Sequence, residues 1–180
     1  MRKILYTRLD GQLCVVHPAE GARLATALLA ADGTELARSK TPIPADTFRR
    51  TWPVQGASCE WAETEEAFVA RIAKKDVPEG LSFQVVDEAA VPKDRTFRNA
   101  WKVAGAGVGH DLVKCQSLTK VRLRTEREPK LRDLDMAYMR ALEAGQPTAD
   151  IVAQKQVLRD ITAQVDGVTD LEALKAIRVL

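Results

Sequence analysis

Two histidines and three cysteines are the residues of this 180-residue chain best suited to bind a metal ion or to act as a base or nucleophile. His17 and His110 are far apart in the sequence, and Cys14, Cys59 and Cys115 are also widely separated. Structural metal sites usually draw their ligands from pairs that lie a few residues apart. The spacing therefore predicts no metal site, and an odd number of scattered cysteines favours free thiols in a reducing compartment.

Signatures of catalysis and of cofactor binding are incomplete. Cys115 and His110 are the one pairing of a nucleophile with a base, and neither lies in a recognisable motif. The glycines of GAGVG, residues 105–109, match a dinucleotide fingerprint only in part, because the third glycine is misplaced and no parallel-sheet unit surrounds them. The sequence has no P-loop and no serine in a nucleophile elbow. We therefore expect a protein that is not an enzyme and that holds no cofactor.

The basic run KVRLRTER, residues 120–127, is the strongest argument for nucleic-acid binding. Arginines at this spacing could neutralise successive phosphates. However, Glu126, Glu128 and Asp133 interleave negative charge, which is typical of a solvated helix surface. The net charge is only +2, because 27 Lys and Arg are matched by 25 Asp and Glu, so the chain has no overall basic field. A small nucleic-acid-binding regulator that uses this run together with Arg95 and Arg98 remains the alternative.

The first 102 residues predict a small α/β domain. Short apolar runs flank a tight turn, helix formers follow, and three prolines then interrupt regular structure. Further on, a threonine precedes a run that begins with acidic and ends with basic residues, as helices prefer. The predicted elements are a hairpin (4–6 and 13–16), a helix (22–30), a proline-rich loop (40–57), a helix capped by Thr64 and a strand (81–86).

The second half predicts a helical domain over 112–180, joined to the first by a glycine-rich linker, 103–111. Apolar residues recur at helical spacing, and Pro129 should start or kink a helix. The predicted helices are 111–144, ended by Gly145 and Pro147, one capped by Thr148 that reaches 163, and one over 169–177. The fold class is therefore α+β, with a β-hairpin in the small N-terminal unit and a helical hairpin or three-helix segment at the C-terminus.

The segment DRTFRNAW, residues 94–101, concentrates aromatic side chains at the junction of the two domains. Phe97 and Trp101 are four residues apart, so one helical turn would place both on the same face, with Arg95 and Arg98 beside them. Base stacking would instead favour aromatic residues in a positively charged groove. We interpret the segment as an anchor that holds the linker to the α/β domain or to a partner.

Residues 125–177 carry a resemblance to a known group of proteins. They read TEREPKLRDLDMAYMRALEAGQPTADIVAQKQVLRDITAQVDGVTDLEALKAI, which resembles a C-terminal module in tail genes of bacteriophages and prophages. DRTFRNAW resembles the short box before that module, and KDVPEGLSFQVVDEAAVPKDRTF resembles the lead-in to the box. The similarity covers about residues 68–177. Two features differ from the usual pattern: VAGAGVGHDL follows the box, and Asp170 and Leu171 stand where a TPE cap is usual.

The resemblance implies a noncatalytic protein of a phage tail, either a chaperone for tail or tail-fibre assembly or a minor component near the tail tip. The implied partner is a tail or tail-fibre protein, and the implied location is the host cytoplasm during assembly or the virion tail. A homo-oligomer is a further option. No membrane is expected, because no uncharged apolar stretch of the sequence approaches the roughly 20 residues that span a bilayer. A phage-encoded inhibitor of a host protein would need the same kind of binding surface. The predicted partner-binding residues are Phe97, Arg98, Trp101, Leu131, Leu134, Met139, Leu158 and Arg159.

Overall fold

The computed structural model describes residues 2–179 and shows a strand-rich N-terminal part followed by helices. The predicted α+β class is therefore confirmed. The elements in chain order are β1 (Arg2–Thr7), β2 (Leu13–Val16), β3 (Leu24–Leu29), β4 (Glu35–Pro44), α1 (Ala45–Thr51), β5 (Ser58–Trp61), α2 (Glu65–Asp76), β6 (Phe83–Asp87), β7 (Trp101–Ala104), β8 (Gly107–His110), α3 (Leu112–Glu143), α4 (Ala149–Asp160) and α5 (Leu171–Ala176).

The chain divides into two compact units. The first contains the described residues up to Pro92 together with Val103–Val108, and the second contains Lys93–Lys102 and the described residues from Gly109 onward. The division predicted from the sequence lay at residue 102. The segment that includes DRTFRNAW thus belongs with the helices and not with the strands.

The first sheet of the N-terminal unit has the order β2-β1-β6, with antiparallel pairing throughout. The predicted hairpin is present, and Gly11 in its turn has a φ of 77°, a conformation that glycine adopts without steric cost. The predicted Thr64 cap is also confirmed, since its Oγ1 accepts a hydrogen bond from the Ala67 amide at 3.2 Å. Helix α2 buries Phe68 and Ile72 against β1.

The second sheet has the order β4-β3-β5 and corrects the helix predicted over 22–30. Strand β3 lies between two partners, and its Ala25 and Leu28 pack against Phe48 of α1. Burial on a central strand outweighs the weak helix preference of alanine and leucine, which is at most a few tenths of a kcal/mol per residue. The predicted loop over 40–57 also contains regular structure, because Pro44 ends the edge strand β4 and directly precedes α1.

The glycine-rich stretch is a β-hairpin, where the sequence predicted a linker over 103–111. Strands β7 and β8 pair with each other, and Gly105 in the connecting turn has a φ of 55°. Glycine is therefore needed here for a tight turn, which composition alone does not distinguish from a flexible connection. Its second strand leads directly into α3, whose N-cap is Asp111.

Helix α3 spans 32 residues and runs through Pro129, where the sequence predicted a start or a kink. The exposed position of Pro129 allows water to hydrogen-bond the backbone group that proline leaves unpaired. The predicted end of the helix is confirmed, and Gly145 follows it with a φ of 63°. Asp170 caps α5, since its carboxylate accepts a hydrogen bond from the Ala173 amide at 2.6 Å. Among the described residues, no helix has the length and apolar character needed to cross a membrane.

The buried core of the second unit lies around the first half of α3. The remaining core residues come from the segment before β7 and from the chain after α4. Together its buried members are Phe97, Ala100, Cys115, Leu123, Ile161, Val165 and Leu174. Phe97 therefore joins a segment that precedes α3 in the sequence to elements that follow it.

We predict that Phe97→Ala lowers the free energy of unfolding of the second unit by about 3–5 kcal/mol, the usual cost of removing a buried phenylalanine ring. Urea unfolding followed by far-UV circular dichroism measures this, because most of the helix content is in that unit. The matched control is Arg98→Ala, whose exposed side chain is adjacent and whose loss should cost less than about 0.5 kcal/mol. Equal stability of the two variants would show that Phe97 does not hold the core together.

Candidate functional site

The structure buries the two aromatic residues that were predicted to bind a partner. Phe97 and Trp101 are both almost fully buried, and a 3₁₀ turn, Arg98–Ala100, separates them where a turn of α-helix was expected. Phe97 packs in the core of the helical unit. The sequence predicted an anchor to the α/β domain or to a partner, but the segment packs within the helical unit. Of its three predicted partner-binding residues, only Arg98 is exposed.

Trp101 is held by a hydrogen bond that depends on the charge state of a histidine. Its indole Nε1–H donates to Nε2 of His110 at 3.2 Å, which requires a neutral imidazole with its proton on Nδ1. Burial lowers the pKa of His110, the nearby ammonium of Lys175 lowers it further, and the carboxylate of Asp94 acts in the opposite direction. The positive end of the α3 dipole also favours the neutral ring.

Most of the basic run 120–127 is used inside the unit. Lys120 forms an ion pair with Asp166 at 2.5 Å. Arg122 and Arg127 donate to backbone carbonyls of the chain that follows α3. Three of the four basic side chains in the run thus have partners within the same unit, which reduces what the run can offer to phosphates.

Arg122 and Arg127 hold the ends of the two later helices. The Arg122 guanidinium donates to the carbonyls of Leu174 at 3.3 Å, Lys175 at 3.5 Å and Ile177 at 2.6 Å. The Arg127 guanidinium donates to the carbonyls of Leu158 at 3.2 Å and Arg159 at 2.7 Å. Cations at a helix C-terminus satisfy carbonyls that have no partner within the helix.

The second half of α3 and helix α4 form a two-helix hairpin. Leu131 and Leu134 are half-buried, and Leu158 is buried. The Lys155 ammonium forms an ion pair with Asp135 at 2.6 Å and lies 5.1 Å from the centre of the Tyr138 ring. Three of the predicted partner-binding residues, Leu131, Leu134 and Leu158, are therefore partly or fully covered by the chain itself.

An exposed apolar stripe lies along the last turns of α3. Met136, Met139 and Leu142 are spaced three residues apart and are 56%, 55% and 51% exposed. Residues at this spacing are neighbours on a helix surface. Methionine is flexible and polarizable, and it is common on surfaces that bind other proteins. We call these three residues the methionine stripe; of the predicted binding residues it contains Met139, while Arg159 is exposed on α4.

A separate apolar groove lies between α3 and α4. Its volume is about 390 Å³, and it is lined by Lys130, Asp133, Leu134, Gln154, Val157 and Leu158. Val157, in the last turn of α4, is 64% exposed. Sequence reasoning identified Leu134 and Leu158 but not the other four lining residues. Their position depends on the rotation of α4 against α3, which spacing within one helix does not specify.

The residues first considered for metal binding and catalysis are placed apart or buried. Within residues 2–179, no group of three or more His, Cys, Asp or Glu side chains could hold a metal ion. Burial raises the pKa of the Cys115 thiol, which disfavours the nucleophilic thiolate. The Nε2 atom of His110 accepts a hydrogen bond from the indole N–H of Trp101.

We predict that the second unit loses stability as the pH falls below about 6.5, the usual pKa of histidine in an unfolded chain. The pKa of His110 is lower in the folded state, so between the two values the unfolded chain binds more protons and acid favours unfolding. Thermal unfolding measured between about pH 8 and pH 5 tests this sign.

Two substitutions separate the charge of His110 from its role as a hydrogen-bond acceptor. His110→Gln keeps an acceptor for the indole, so it should retain stability at neutral pH and show a smaller loss in acid. His110→Phe removes the acceptor and should be less stable throughout the range. A wild-type loss in acid that His110→Gln reproduces in full would assign the effect to other groups.

We predict that Arg122→Ala destabilises the second unit by about 1.5–3 kcal/mol, because charged hydrogen bonds to three carbonyls are lost. Amide hydrogen exchange should show the effect first in α5. Arg124→Ala is the matched control, since Arg124 is exposed in the same run and its loss should cost less than about 0.5 kcal/mol. Equal protection of α5 in both variants would contradict the assigned role of Arg122.

Comparisons with known proteins identify no relative of this chain. No protein-family model, no curated protein and no solved structure matches the chain.

Proposed function

We propose that this chain is a noncatalytic protein of a bacteriophage tail module that binds another tail or tail-fibre protein during assembly. The resemblance of residues 125–177 to tail-gene modules supplies the context. The observation that carries the proposal is the methionine stripe, three large apolar side chains that are each more than half exposed near the end of α3. An apolar patch of a few hundred Å² on a soluble protein is often functional.

The surroundings of the stripe suit a protein partner with an amphipathic surface. Arg132, Arg140 and Glu143 lie on the same half of α3 and are exposed. Specific interfaces combine a small apolar centre with a polar rim that excludes water. The stripe would supply that centre, and charges of both signs would supply the rim, so the partner surface should be apolar and not strongly charged.

The nucleic-acid alternative receives less support. Lys120, Arg122 and Arg127 are engaged within the unit, so Arg124 is the member of the run without an ion pair or hydrogen bond among the contacts of the described residues. A protein that contacts several phosphates needs several cations on one face. The basic run is better explained as a set of internal contacts that hold the helices after α3.

We predict that Met139→Asp abolishes copurification of the chain with its tail partner when the whole tail operon is expressed. A charge at the centre of an apolar interface would have to be desolvated on binding, which should weaken the complex at least tenfold. The chain should remain folded, because Met139 is 55% exposed.

The matched control is Val113→Asp, which places the same charge at another exposed apolar position of α3, 74% exposed. It should retain the partner. Failure of the wild-type chain to associate with any tail component, or equal retention by both variants, would overturn the proposal. Binding to DNA that weakens steeply as salt rises would instead support the nucleic-acid alternative.

A further inference from the structure

The groove between α3 and α4 is a second unfilled surface, distinct from the methionine stripe. Leu134, Val157 and Leu158 supply its apolar lining, and Lys130, Asp133 and Gln154 supply its polar lining. We infer that a second copy of this chain covers the groove, so that two helical hairpins pack together as a symmetric four-helix arrangement. This inference does not depend on the proposed role in tail assembly.

The first argument is incomplete burial. Leu158 is the one buried residue of α4 among those described, and Val157 leaves 64% of its surface exposed on the same helix. Amphipathic helices in bundles normally bury an apolar face about three positions wide in every seven. Two helices that pack only against each other leave part of each apolar face exposed to solvent. A second hairpin packed across the groove would cover Val157 and Leu134.

The second argument is charge complementarity of the surface with itself. Lys130 and Asp133 both line the groove and lie one helical turn apart on α3. In a two-fold interface each residue meets the symmetry-related surface, so an axis between these positions would place Lys130 of each copy beside Asp133 of the other. The pairing requires the two α3 helices to run antiparallel across the axis.

The overall charge of the hairpin also permits this arrangement. Residues 126–160 contain six basic and seven acidic side chains, which leaves a net charge close to zero. Two identical surfaces with a large net charge would repel each other. The repulsion between two copies of this hairpin is therefore small. A strongly basic or strongly acidic partner would gain no overall electrostatic attraction to the hairpin.

The size of the hairpin sets the expected strength of the dimer. The part of α3 beyond residue 126 is roughly 27 Å long at 1.5 Å per residue, and two adjacent helices are about 20 Å wide. The face therefore offers on the order of 500 Å² per copy, or about 1,000 Å² in total, near the lower limit for a specific interface. A weak, reversible dimer is expected, with a Kd in the micromolar range.

Sedimentation equilibrium of the full chain over a hundredfold range of concentration tests the inference. The average mass should rise from monomer toward dimer in that range. Val157→Glu should shift the equilibrium to the monomer by at least tenfold in Kd, because it places a charge in the groove. Val121→Glu is the matched control, since Val121 is 56% exposed on α3 and does not line the groove.

A charge exchange tests the two-fold pairing directly. Lys130→Asp and Asp133→Lys should each weaken the dimer by roughly tenfold, and the double variant should restore it, because each copy would again meet opposite charges. Far-UV circular dichroism confirms that the variants remain folded. A monomer at every concentration, or a dimer that tolerates Val157→Glu as well as Val121→Glu, would overturn the inference. Met139→Asp should leave the dimer intact, which separates this test from that of the tail partner.

Discussion

The organisation of the helical unit depends on one mismatch of length. Helix α3 spans 32 residues, about 48 Å at 1.5 Å per residue, but the buried core of the unit contacts only its first half, ending at Leu123. Helix α4 packs along α3, and most residues of the second half of α3 stay exposed. A helix that packs on one side only cannot bury its whole apolar surface. The methionine stripe and the groove are both consequences of this incomplete cover.

Two arginines of α3, Arg122 and Arg127, donate hydrogen bonds to backbone carbonyls of the later helices. Like every α-helix, α4 and α5 each leave carbonyls without helical partners at the C-terminus. Arg122 serves the end of α5 and Arg127 serves the end of α4. Both arginines lie on a helix whose first half is fixed by the core, so they position the later elements against it. Most basic side chains of the run 120–127 therefore make contacts within the unit, although the sequence of the run resembles a phosphate-binding surface.

The sequence predicted those elements whose signals are local. The Thr64 cap, the turn at Gly11 and the end of α3 at Gly145 each depend on a few adjacent residues, and all are present. Strand β3 was missed because its conformation depends on pairing with strands distant in sequence. The hairpin at Gly105 was missed because glycines suit both a linker and a tight turn.

The predicted binding residues divide in the same way. Helical spacing identifies which residues of one helix share a face, so it correctly grouped Leu131 and Leu134. It does not say whether that face is covered by other parts of the chain, and here both residues are half-buried. The burial of Phe97 and Trp101 likewise depends on tertiary packing. Met139 was predicted to bind a partner, and its 55% exposure could not be read from helical spacing alone.

The amount of exposed apolar surface limits how tightly the methionine stripe could bind the partner proposed above. Three half-exposed side chains in the methionine stripe present on the order of 300 Å², similar to the largest apolar patches of many soluble monomers. At about 25 cal/mol per Å² their burial would contribute roughly 7 kcal/mol. Association costs about 4–15 kcal/mol in lost motional freedom, so the stripe alone leaves little net affinity. If the proposed tail role is correct, a binding site of this size favours a partner that is held briefly and released, as by an assembly chaperone, over a permanent component of the tail.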